Sequence, residues 1–180
     1  MKVVVRLLIL FICFITIQSD AQRGWRLFDQ FGGVGAIHES SDGNLWVSGG
    51  SGVWRYDGSG WESVAEFTGS GYVIHESSDG TLWVRGQSGG RMWRYDGSSW
   101  ESVAEGPGGI VDIHESRDGT LWVGGGSGVW RYDGSGWQSA AGGPGRVNAI
   151  GESRDGTLWV GGDSGMWRGW RRDRRWRIID

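Results

Sequence analysis

From residue 34 onward the apolar positions of this chain come in short bursts cut by Gly, Ser and Asp. The bursts AIHES (36–40), LWV (45–47), VWRY (53–56) and WESVAE (61–66) read as four strands. Asp-Gly turns fall between the first and second and between the third and fourth, and Asp-Gly between apolar runs is a strong hairpin signal. No stretch carries apolar residues at helical spacing, and each Gly would cost a helix about 1 kcal/mol. LWV and VWRY present apolar groups on both faces. Such strands are covered on both sides, whereas a one-sided sheet alternates polar and apolar.

The four-strand unit recurs. SSDGNLWV, SSDGTLWV, SRDGTLWV and SRDGTLWV place their aspartates at Asp42, Asp79, Asp118 and Asp155, at spacings of 37, 39 and 37 residues. GVWRYDGSGW (52–61), GRMWRYDGSSW (90–100) and GVWRYDGSGW (128–137) follow the first three, and the fourth begins alike with GMWR (165–168). A period of this size marks a stacked repeat architecture. Four antiparallel strands in about 38 residues make one propeller blade. The fold class is therefore all-β, with four four-stranded blades over approximately 34–66, 72–105, 110–141 and 147–180. A β-solenoid is the alternative stack, but its repeats are usually shorter.

The pattern V-x-x-I-x-E-S-x-D-G-x-L-W-V-G-G-x-x-G-V-W-R-Y-D-G resembles the two-component regulator propeller repeat across nearly all of 25–168. That resemblance implies a β-propeller in the extracytoplasmic sensor region of a bacterial hybrid histidine kinase, or in a related secreted protein. It brings no catalytic set to place on these residues. Members carry many more than four repeats, so the resemblance implies the front portion of a longer propeller. There are five candidates for the fourth strand, beginning at Trp25, Trp61, Trp100, Trp137 and Trp176. WRLFDQ (25–30) reads as an extra, closing-type N-terminal strand that competes with WRIID (176–180). We expect an incomplete, open propeller whose bare blade faces are apolar and prone to self-association.

Residues 1–21 read as a signal peptide. Lys2 and Arg6 precede the apolar run Leu7–Ile17, and Ser19 and Ala21 are small residues before Gln22. The run is short for a membrane span. No further span is expected, and the location is periplasmic or secreted. Cys13, the single cysteine, leaves with the signal, which suits an oxidising compartment. Net charge is −3 for the whole chain and −4 after residue 21. The tail 167–180 carries six Arg and two Asp, a net +4 against −8 for 22–166. Basic-aromatic interleaving can mark nucleic acid, but an exported protein does not meet it. The tail reads as a degenerate last hairpin.

Side chains with chemistry repeat with the unit. His38, His75 and His114 hold one position, filled by Gly151 in the fourth unit, and Glu39, Glu76, Glu115 and Glu152 follow them. On the innermost strand these groups are candidates to line the central channel. His and carboxylate can ligate a metal, but duplication alone explains the copies, so no metal or other cofactor is expected. Asp42, Asp79, Asp118 and Asp155 are read as structural turn residues. Their S-x-D-G-x-x-W string is close to the sialidase Asp-box, with one residue fewer in the turn. Arg55, Arg94, Arg131 and Arg168 are expected to pair with the first-strand glutamates or to stack on Trp. Of the 14 Trp, Trp170 falls outside the repeat and is the candidate exposed ligand contact.

No lone His or acid cluster breaks the repeat symmetry, as a catalytic site requires. The sequence supports a non-enzymatic binding or sensing propeller for an extracytoplasmic glycan or protein. A lectin-like module with equivalent, multivalent sites is one alternative. A propeller lyase is another, since streptogramin lyases share a similar D-G-x-L-W turn.

Overall fold

The computed structural model describes residues 26–66, 73–86, 91–103, 108–140 and 143–169, together with the backbone of 176–178. The signal-like segment 1–21, Trp25 and Trp170 lie outside the described residues.

Each Asp-Gly repeat folds as one sheet. Blade 1 holds β1 (Val34–Glu39), β2 (Leu45–Gly49), β3 (Gly52–Tyr56) and β4 (Trp61–Ala65). Blade 2 holds β5 (Ile74–Glu76), β6 (Leu82–Arg85), β7 (Met92–Tyr95) and β8 (Trp100–Val103). Blade 3 holds β9 (Asp112–Glu115), β10 (Leu121–Gly125), β11 (Gly128–Tyr132) and β12 (Trp137–Ser139). Blade 4 holds β13 (Val147–Glu152), β14 (Leu158–Gly162), β15 (Gly165–Gly169) and β16 (Trp176–Ile178). All four sheets are antiparallel with strands in chain order, and the described residues contain no helix. The chain is all-β, an incomplete propeller of four blades.

The turns explain the short strands. Gly52, the first residue of β3, has φ +115°, and a Cβ there would run into the Ala65 carbonyl. Only glycine meets both demands. The first Asp-Gly turn repeats with positive φ at Gly43, Gly80, Gly119 and Gly156.

Alternation along each strand then sorts the side chains onto two faces. Trp46 pairs across strands with Arg55, while Val47 pairs with Trp54 and Leu45 with Tyr56. Trp46 and Val53 therefore share one face, which meets blade 2 through Leu82, Val84, Tyr95 and Trp100. The next joint repeats the scheme. Trp83 and Met92 face Leu121, Val123 and Trp137 of blade 3. Val129 and Trp122 face Val147, Val160 and Trp167 of blade 4. At each of the first two joints a second-strand Trp meets an aromatic pair of the following blade. The Trp46 ring centroid lies 5.6 Å from Tyr95 and 6.4 Å from Trp100, and the Trp83 centroid 5.0 Å from Tyr132 and 6.0 Å from Trp137. These are tilted and edge-to-face contacts, the geometries the ring quadrupole favours.

The contest for the last outer strand resolves in favour of the C-terminus. β16 pairs with β15 through Trp167–Ile178, Arg168–Arg177 and Gly169–Trp176. With that edge taken, residues 26–30 carry no strand, unlike the closing-type strand expected over 25–30. The N-terminal segment caps blade 1 instead. Phe31 is buried, with its ring 5.5 Å from Trp54 and 4.6 Å from Trp61, and Phe28 lies 6.1 Å from Trp61. These two phenylalanines meet blade 1 at the aromatic position that receives the preceding blade's Trp at the inner joints.

Burial follows the joints. Trp46 and Trp83 are each 4% exposed, while Trp122 and Trp159 are half-buried. Trp159 lies on the face of blade 4 that has no following blade among the described residues. Trp83→Ala removes a ring that bridges two blades and should destabilise by about 3–5 kcal/mol. Trp159→Ala should cost clearly less. Urea unfolding followed by circular dichroism measures both, and equal losses would contradict this assignment of the joints.

Candidate functional site

The innermost strands carry the repeated histidines and glutamates, and the hairpin turns beside them carry the repeated aspartates. Both sets belong to one recurring arrangement at the blade joints.

Within each turn a serine is the hub. The Ser40 hydroxyl donates to Asp42 Oδ1 at 2.5 Å and accepts the Trp46 indole N–H at 2.9 Å. Ser77 does the same with Asp79 at 2.8 Å and Trp83 at 3.1 Å. Ser116 joins Asp118 and Trp122, and Ser153 joins Asp155 and Trp159. Each aspartate also accepts the backbone N–H two residues on, as at Thr81 (2.9 Å) and Thr157 (3.0 Å). Asp42, Asp79, Asp118 and Asp155 thus close their own turns and, through serine, orient the second-strand indole, which in the first three blades faces the next blade.

These bonds favour the ionised carboxyl. Asp42 is held below the ordinary aspartate range, chiefly by the Ser40 hydroxyl. Asp79 is lowered first by the Thr81 N–H and then by Ser77. Asp155 falls to about 2, led by the Ser153 hydroxyl.

The glutamates cross the joints. Glu76 of blade 2 accepts the Ser41 N–H at 2.8 Å and the Ser41 hydroxyl at 2.7 Å from the turn of blade 1. Glu115 of blade 3 takes the Ser78 N–H at 2.7 Å and its hydroxyl at 2.6 Å. Glu152 of blade 4 takes the Arg117 N–H at 2.9 Å. Burial works against the charge of Glu76, but the Ser41 bonds and His38 outweigh it and hold the carboxyl below its usual range. Glu39, with no earlier blade to grip among the described residues, is exposed.

The histidines sit in the same row. His38 Nε2 lies 3.4 Å from Glu76 Oε2, joining the first blade to the second. His75 and His114 are half-buried, and the Nε2 of each is buried with no hydrogen-bond partner among the described residues. Burial lowers the pKa of His75; Glu115 opposes that shift, while His38 and His114 add to it. Among the described residues no group of three or more His, Cys, Asp or Glu is placed to hold a metal ion.

The expected pairing of third-strand arginines with first-strand glutamates is corrected. Arg55 bonds Glu62 at 2.8 Å, Arg94 bonds Glu101 at 2.6 Å, and Arg131 bonds Gln138 at 3.0 Å, all across the β3–β4 type hairpin. The first-strand glutamates are engaged with the neighbouring turn, so the arginines take the residue opposite them in register. Such exposed pairs contribute at most about 1 kcal/mol. Stacking on Trp does occur, with the Arg55 guanidinium 5.9 Å from the Trp46 ring and Arg168 5.9 Å from Trp159. The serine hub and the inter-blade serine partners escaped the sequence reading. Their signal lies in the repeated S-x-D-G string, whose Ser recurs as regularly as its Asp.

By sequence, the chain matches no protein-family model and no curated protein. By structure, it is similar to the extracellular domain of BT4673 from B. thetaiotaomicron, described as a hybrid two-component system. TM-score is 0.69 and identity 19%, over 86% of this chain and 22% of that one. It is also similar to virginiamycin B lyase from Staphylococcus aureus. There TM-score is 0.62 and identity 19%, over 82% of this chain and 55% of the lyase. PorZ of Porphyromonas gingivalis, a surface component of the type-IX secretion system, gives 0.63 and 18%, over 82% of this chain and 27% of that one. The chain thus spans about a fifth of the two-component protein's domain and about half of the lyase. At these identities the likeness is one of fold.

Two acid transitions should follow. A histidine whose folded pKa is depressed loses stability as pH falls below its ordinary value of 6.5, because the unfolded chain gains the proton first. Aspartates held low, such as Asp155, stabilise above their ordinary 3.8, and that contribution is lost as pH falls toward about 2. The urea midpoint should therefore decline in two stages. His75→Gln should remove part of the first stage and leave the second, and Asp155→Asn should soften only the second.

Proposed function

We propose that the chain is an exported, non-enzymatic binding or sensing module of the two-component regulator propeller type. The observation that carries this reading is the use made of the repeated polar groups. Glu76, Glu115 and Glu152 hold neighbouring turns, and Asp42, Asp79 and Asp155 close their own. Each role recurs from blade to blade, and no asymmetric nucleophile–base pair stands out among the described residues. Catalysis needs one such constellation. A sensing propeller needs only a rigid scaffold with a recognition surface.

The likeness to an extracellular two-component domain supports export and sensing. No helix among the described residues is long and apolar enough to cross a membrane. The ligand class in this reading is an extracytoplasmic glycan or protein. The inner row, with the half-buried side chains of His38, His75 and His114, is its polar recognition strip.

The lyase-like fold gives a direct test. Incubated with quinupristin, the molecule present in the lyase structure, the purified chain should convert it no faster than a buffer blank, as read by liquid chromatography. Conversion that depends on the chain and vanishes in His75→Ala or His114→Ala would replace the sensing reading with a lyase. Expression of the full chain in a Gram-negative host should yield a periplasmic species shortened by about 21 residues, the length of the segment before the small-residue site. A full-length cytosolic product would refute export.

A further inference from the structure

The two ends of the blade stack are the two halves of a joint that the molecule already builds three times. We infer that the first blade of one chain binds the fourth blade of a second copy, head to tail, through the inner half of that joint.

The head half lies on β1. In blade 4, Val147 is fully buried and Ile150 half-buried against blade 3. Their equivalents in register are Val34 and Ile37, since Val34 pairs with Gly49 as Val147 pairs with Gly162, and Ile37 with Val47 as Ile150 with Val160. At the head these two are 47% and 64% exposed. Beside them Glu39 is exposed, where Glu76, Glu115 and Glu152 each accept an N–H from the turn of the preceding blade.

The tail half lies on blade 4. Gly124 of blade 3 receives Val147 and Ile150 so closely that a Cβ on it would run into the Val147 side chain. Gly161 is its equivalent in register, and a Cβ there would touch nothing nearer than Ala149 of its own blade, at 4.0 Å. The seat for a valine is present and unfilled. Met166 is 51% exposed, whereas Val53, Met92 and Val129 at the same place are at most 1% exposed. The turn carrying Arg154 repeats the Ser-Arg-Asp-Gly of blade 3, whose Arg117 N–H is held by Glu152.

Each half thus lacks what the other supplies. Val34 and Ile37 of one copy seat on Gly161 of the other, and Glu39 accepts the Arg154 N–H. Phe28 and Phe31 occupy the outer part of the head face, so the contact is confined to the inner strands, with Phe28, 42% exposed, at its rim. The joint is heterologous, one different patch on each partner.

That asymmetry makes the test decisive. Sedimentation of the full chain should show at least twice the monomer mass, falling on dilution. Ile37→Asp with Glu39→Ala blocks the head, and Gly161→Trp blocks the tail; Met166→Asp is a second tail block at an exposed side chain. Each blocked chain, with an unfolding midpoint near that of the wild type, should sediment as a monomer. Head-blocked and tail-blocked chains mixed together retain one intact joint and should recover a 1:1 dimer. A wild-type monomer that does not change with concentration would overturn the inference. So would blocked chains that assemble like the wild type, or a mixture that stays monomeric.

Discussion

A carboxylate that reaches from one blade to the backbone of the blade before it is the constraint on which the stack depends. Apolar faces of Trp, Val and Met can slide past one another with little preference for register. The bonds from Glu76 to Ser41 and from Glu115 to Ser78 do not slide. A backbone N–H and a hydroxyl held by one carboxylate fix distance and direction together, and charge-assisted bonds of this kind are the strong ones. Hydrophobic area supplies most of the free energy of each joint, and the glutamate decides where it is realised.

The turn that receives the glutamate is itself tied to the core. The serine that donates to Asp79 also accepts the Trp83 indole, and Trp83 reaches Tyr132 and Trp137 of the next blade. A large aromatic group therefore enters the joint with its polar atom satisfied and its rotation restricted. Blade contacts run between successive blades, so stability adds up as in other quasi-one-dimensional repeat proteins.

Much of this was legible in the chain. The Asp-Gly turns and the 37–39 residue period announce strand number and sheet order; the period also places Trp46, Trp83, Trp122 and Trp159 alike, yet only Trp46 and Trp83 are buried, while Trp122 and Trp159 stay half-buried. The destination of polar side chains was less so. A first-strand Glu and a third-strand Arg look like natural partners on paper, but register sets Arg55 opposite Glu62 and aims Glu76 at another blade. The bonds from these glutamates to the preceding turns span 35 to 37 residues, and nothing local to Glu115 announces Ser78. The N-terminal WRLFDQ carried the composition of a fourth strand. Only the occupied edge of β15 shows why it does something else.

That N-terminal segment has a consequence for how such a chain changes size. Phe28 and Phe31 reproduce, with a few residues of irregular backbone, the aromatic contact that a whole blade makes through its Trp. Their partner, Trp61, has counterparts in Trp100, Trp137 and Trp176 at the start of each later outer strand. The cap therefore recognises the generic face of a blade and not the particular first one. Duplication or loss of a complete unit between cap and stack leaves the same aromatic lock available, so gene duplication can lengthen or shorten this molecule in whole blades without inventing a new end.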